Sequence, residues 1–206
     1  MTIPAPPDPS PLRPLATLAV LAVALGFAVQ FAVLAAKLAA GGPFPGIAFA
    51  ADLAGGVAWS GIVCLGAGIG TALFRIRAGL SGLIAALFAP LAVAASKAAN
   101  QIVSAAIGAA TKPDAASLVG LAALKAVEYG LLGFLLATLA ARGARLSAFL
   151  GTGAGIGLTF AAAALALRWG GAPAAELAAT AVNEAAFPVG CAAVVYAGMM
   201  AGRAKG

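Results

Sequence analysis

The chain has 206 residues, of which 63% are hydrophobic and only 9% charged, with twelve Lys and Arg against six Asp and Glu. A soluble domain carries roughly 25% charged residues, so this composition excludes a water-exposed globular surface and points to an all-α, polytopic membrane bundle. The net charge of +6 does not indicate nucleic acid, because no basic face can be drawn and basic residues in membrane proteins set topology.

Residues 1–14 hold six prolines. They read as an extended, proline-rich cytoplasmic tail, since proline fixes φ and removes backbone donors. The apolar run that follows exceeds the roughly 7–15 residues of a signal core and is expected to remain as a span. Six spans are predicted, at 15–40, 47–74, 80–95, 115–141, 146–167 and 174–201, with a short basic tail at 203–206. The transmembrane domain is thus 15–202.

In the first span, Ala24, Ala28, Ala32 and Ala36 recur every fourth residue, as do several glycines less regularly in the second. Small residues at this spacing let helix backbones approach closely. The third region is too long for one upright span of ~20 residues. Either Pro90 kinks a single helix, or the span ends near Ser96 and KAANQIVSAAIGAA follows as an interfacial or re-entrant helix. Lys97, Asn100, Gln101 and Ser104 at helical spacing favour the second. The inner turns RIRAGLSG and RGARLSA look alike and suggest a duplicated hairpin, spans two–three and four–five.

Arg13, Arg75, Arg77, Arg142, Arg145, Arg203 and Lys205 all fall on one side of a six-span arrangement. Lys37, Lys112 and Arg168 fall on the other, offset by Asp52, Asp114 and Glu176. The Lys/Arg excess marks the cytoplasmic side, which places both termini there.

Charges within a span are costly, ~2.5–3.5 kcal/mol each on insertion scales, and mark functional positions by default. Lys125 and Glu128 lie in span four and Glu184 in span six. At 1.5 Å per residue, Lys125 and Glu184 each lie ~15 Å below the start of their spans, while Glu128 shares a face with Lys125. The three are expected to meet in one layer of net charge −1. Pro188 withholds a donor from the Glu184 carbonyl four residues earlier. Span six is therefore expected to kink there and to offer Glu184, Asn183 and a freed carbonyl to a small solute or cation. Lys97, Asn100, Gln101 and Trp59 are the candidate outer-mouth residues, although Trp59 lies inside span two, where its indole needs a partner.

No histidine occurs, which removes the commonest metal ligand and general base. Cys64 and Cys191 sit in apolar runs and read as inert small hydrophobes. GTGAGIG at 151–157 mimics part of a dinucleotide fingerprint but lies in an apolar span, not after a strand. No phosphate-binding loop, CxxC or HExxH occurs, so no cofactor and no metal are expected, and catalysis is the least favoured class.

In size, span count and inside termini, the chain is similar to the substrate-capture subunits of energy-coupling-factor vitamin transporters. The similarity is architectural, with no residue motif behind it. The expectation is a transport-type protein of a bacterial cytoplasmic membrane, with the lipid bilayer as its setting. The alternative is a non-transporting subunit that packs on a membrane protein partner or on a second copy through its alanine-rich helices. A lipid-acting enzyme is third.

Overall fold

The computed structural model describes residues 12–73, 76–109 and 118–203. Six helices account for nearly all of them: α1 (Leu12–Ala39), α2 (Phe49–Gly68), α3 (Ala78–Ala106), α4 (Leu118–Ala141), α5 (Leu146–Arg168) and α6 (Ala174–Arg203). All six are long and apolar enough to cross a bilayer. The chain is a multi-pass membrane bundle.

Each helix packs on its neighbours in sequence, and α6 returns to α1. In addition α2, α4 and α6 touch one another. The even-numbered helices, which run in the same direction, therefore form a central triangle, and α1, α3 and α5 fill the grooves outside it. The two ends of the bundle are marked by close contacts between α1 and α6. Gly202 lies beside Pro14 at one end and Gly42 beside Ala175 at the other. The described ends of the chain thus share one face, together with Arg77, Arg142 and Arg145.

Small residues set the spacing. A Cβ on Gly26 of α1 would stand 2.7 Å from the Val57 Cα of α2, and one on Gly82 of α3 would stand 2.9 Å from the Gly130 carbonyl of α4. Ser60 ties α2 to α1 by donating to the Ala22 carbonyl at 2.7 Å. The packing face of α1 is Leu18, Ala22, Gly26, Val29 and Val33, whereas Ala24, Ala28 and Ala32 face outward. The expected alanine stripe exists, but it is not the face that packs.

The third span corrects the reading from sequence. It does not stop near Ser96. α3 runs unbroken for 29 residues through Pro90 to Ala106, so KAANQIVSAA is the upper part of a membrane helix. α2 accommodates part of this polar stretch: Gly55 abuts Ser96 and Asn100, and the Asn100 amide donates to Asp52 at 3.3 Å, while Gln101 stays exposed. α1 also begins three residues earlier than expected, with Pro14 in its first turn, where a missing N–H costs nothing.

The likeness of the two arginine-rich turns does not extend to the hairpins they close. α2 lies along α3, while α4 touches α5 sparsely and α5 rests on α6. The α4–α5 turn itself is a glycine cap. Gly143 has φ +65°, and the Ala144 N–H reaches back to the Leu139 carbonyl at 3.0 Å. α2 ends in a π-helical turn, Ile69–Leu73, a form that occurs mostly as single turns within α-helices.

Arg75, Lys112, Asp114 and Lys205 lie outside the described residues, as do residues 1–11 of the N-terminal segment.

Candidate functional site

The matching depths of Lys125 and Glu184 bring them together at the centre of the triangle. The Lys125 ammonium donates to Glu128 Oε2 at 2.6 Å, one turn along α4, and also to Glu184 Oε2 across the α4–α6 contact. Glu128 is fully buried, and Lys125 and Glu184 are 6% and 9% exposed, so neither bridge is a solvated surface pair.

The walls of this layer are aromatic. Trp59 of α2 stands edge-on to Tyr129 of α4, with ring centroids 5.4 Å apart, and to Phe187 of α6 at 6.4 Å. The ammonium lies 5.7 Å from the Trp59 ring and 5.8 Å from the Tyr129 ring, within cation–π range. Trp59 thus belongs to the central layer and not to the outer mouth where the sequence reading had put it. Its neighbour Tyr129, 1% exposed, was not singled out at all. The signal was there: Tyr129 follows Glu128 directly, and α4 brings 125, 128 and 129 to one side.

Two polar atoms of the layer are left over. Glu128 Oε1 and the Tyr129 hydroxyl are buried and make no hydrogen bond of normal geometry. Buried polar atoms are nearly always paired. Two such atoms on adjacent residues, in a layer of one ammonium and two carboxylates, are where a further positive group or a proton fits.

Asn183 is half-buried within α6. Pro188 is fully buried within α6, whose helix continues on both sides of it. The carbonyl it frees does not turn toward Lys125. A Cβ on Gly157 of α5 would stand 3.1 Å from the Glu184 carbonyl and 2.8 Å from that of Ala185, and one on Gly153 would stand 2.6 Å from the Pro188 carbonyl. The exposed backbone of the proline segment is covered by the Gly153-x-x-x-Gly157 ridge of α5. GTGAGIG is therefore a helix-docking surface of the small-xxx-small type. It holds the backbone behind Glu184 while the carboxylate points inward.

The outer-mouth candidates stay apart from this layer. Lys97 and Asn100 are half-buried on the upper part of α3, and Gln101 is exposed. Toward the arginine-rich end, a cavity of about 230 Å³ is lined by Gly70, Thr71, Ile76, Ala137, Ala140 and Met199. It abuts the π-helical turn and lies ~18 Å from Lys125 along α4. Between cavity and layer the triangle is closed by Val63, Cys64, Leu132, Leu136, Cys191 and Val195, all buried. Cys64 and Cys191 are both free thiols. Among the described residues no cluster of three or more His, Cys, Asp or Glu forms a metal site.

No protein-family description matches the chain, and neither the curated proteins nor the solved structures contain a match to it. The functional reading therefore rests on the layer itself.

Proposed function

We propose that the chain is a transport-type protein of a bacterial cytoplasmic membrane that binds a small cationic solute or a cation between α2, α4 and α6. The observation that carries this reading is the central layer: two buried carboxylates share one buried ammonium and leave Glu128 Oε1 without a partner. The three formal charges sum to −1, and the aromatic walls favour a positive guest over an anion or a neutral one. Intramembrane ionisable groups that face the bundle interior mark solute and ion pathways. The cavity below the apolar closure supplies a vestibule on the arginine-rich side, which the charge bias assigns to the cytoplasm.

Glu184→Gln is the direct test. The substitution keeps the side chain's shape, and Lys125 retains Glu128, so the fold is expected to persist. Uptake of radiolabelled monovalent cations or small amines into proteoliposomes is expected to fall at least tenfold. Unchanged uptake by a well-folded Glu184→Gln protein would remove the carboxylate from the mechanism.

Orientation is tested separately. In a background lacking Cys64 and Cys191, a single cysteine at Ala144 is expected to resist a membrane-impermeant thiol reagent applied to intact cells. One at Thr111 is expected to react. The reverse pattern would invert the bundle.

A second reading has one observation in its favour. The outward face of α1 presents Ala24, Ala28 and Ala32 beside the exposed Phe27 and Phe31, a surface suited to another membrane helix. A non-transporting subunit would co-purify with a stable partner, and its assembly, not uptake, would fail when Ala28 is enlarged.

A further inference from the structure

We infer that the central layer holds one proton, shared by Glu128 and Glu184, and that a monovalent cation entering the layer displaces it. The inference rests on the reading of the layer as a cation site and names the ion with which the guest exchanges.

Lys125 supplies +1 and the two glutamates −2. A net charge sealed between three membrane helices is costly, which favours a neutral layer. One positive charge is missing. The charges that act on Glu128 are those of Lys125 on its own helix and Glu184 on α6. Of the other titratable groups, Tyr129 follows Glu128 on α4, and the buried thiols Cys64 of α2 and Cys191 of α6 lie on the cavity side of the layer. The described charged residues of α1 and α5 lie toward the helix ends, while Lys97 lies nine residues before the end of α3. Among the described residues no second cation pairs with Glu128 or Glu184.

The place for the missing charge is visible. Lys125 takes one oxygen of each carboxylate, both Oε2. Of the oxygens that remain, Glu128 Oε1 is fully buried and unpartnered, whereas the buried Tyr129 hydroxyl, next in sequence, has the Trp59 indole beside it. An ionised carboxylate can accept several hydrogen bonds. One that accepts only from Lys125 is under-satisfied as an anion, and a proton on Oε1 removes its charge. Because the carboxylates are bridged through one ammonium, the proton belongs to the pair. Exchange then balances: the layer is neutral with the proton bound, and neutral again when the O–H bond breaks, the proton leaves and a monovalent cation takes its place. The stoichiometry is one proton for one cation.

The experiment is infrared spectroscopy of the full chain in lipid nanodiscs, with glutamate labelled at the side-chain carboxyl by carbon-13. The chain has three glutamates, and the third, Glu176, is exposed. The wild type is expected to show the carbonyl band of one protonated glutamate. Glu128→Gln and Glu184→Gln are each expected to show none, because Lys125 then balances the remaining carboxylate. Lys125→Met is expected to double the band. The two isosteric glutamine variants suffice if Lys125→Met does not fold. Adding sodium, potassium or methylammonium is expected to lower the wild-type band, with release of about one proton per protein into weakly buffered solution. No band in the wild type, or a band that survives in both glutamine variants, would overturn the proposal. So would a band that none of the three cations diminishes while that cation is taken up. Absence of any cation uptake with the band present would instead remove the transport reading and leave the proton in the layer.

Discussion

Lys125→Met is expected to destabilise the protein by about 3–5 kcal/mol, because removing one partner of a buried ion pair leaves the other uncompensated. The ammonium bridges Glu128 and Glu184, so its loss removes the one counter-charge and the hydrogen bonds that both carboxyl groups share inside an apolar triangle. The double variant Lys125→Met/Glu184→Gln retains a single carboxylate and is expected to be more stable than Lys125→Met alone. A double-mutant cycle read by denaturant unfolding in detergent micelles measures the coupling, and groups in contact typically couple by about 0.5–3 kcal/mol. Strict additivity would mean that the bridge contributes nothing.

The second large effect is expected at the α5–α6 contact. Gly157→Leu places a side chain where a Cβ already stands 2.8 Å from the Ala185 carbonyl and 3.1 Å from that of Glu184. The obstacle is helix backbone, which cannot rotate away as a side chain can, so α5 must lift from α6. Overpacking of this kind typically costs about 1–3 kcal/mol. Gly155→Leu is the matched control. It lies in the same helix, two residues away, and its Cβ meets nothing within 4 Å. Surface substitutions of that type usually change stability by less than about 0.5 kcal/mol. Thermal unfolding of the two proteins should therefore diverge. Equal transitions would mean that the glycine ridge is incidental. Uptake should fall as well in Gly157→Leu, because the ridge holds the backbone that carries Glu184.

These two sites differ in how visible they were in the amino-acid sequence. Span number is fixed by the length of apolar runs, since a bilayer requires about 20 residues per crossing, and six spans are what the fold contains. The meeting of Lys125 with Glu184 was also legible. Charges inside a span are rare and rise per residue is constant, so depth along each helix can be computed without knowing which helices touch.

Which face of a helix points inward is another matter. In water, an amphipathic stripe reveals the buried side. In lipid, the outside is as apolar as the core, and the stripe vanishes. That is why Ala24, Ala28 and Ala32 suggested a packing face that is in fact turned outward, and why Leu18, Ala22, Gly26 and Val29 did not stand out. The same degeneracy hid Trp59 and Tyr129 as walls of the central layer. Their neighbours come from α2, α4 and α6, and only the triangle of even-numbered helices brings those three together. The polar upper part of α3 looked like an interfacial segment because its partner was not yet known. Asp52 and the gap over Gly55 let Asn100 and Ser96 sit inside a membrane helix. The GTGAGIG stretch is similar: its glycines require a backbone at close range, and only tertiary packing shows that this backbone is the proline segment of α6. Span number and charge depth are properties of one chain and one bilayer. Helix facing, the aromatic walls and the glycine ridge are properties of contacts between helices, and apolar composition is the same on either side of those contacts.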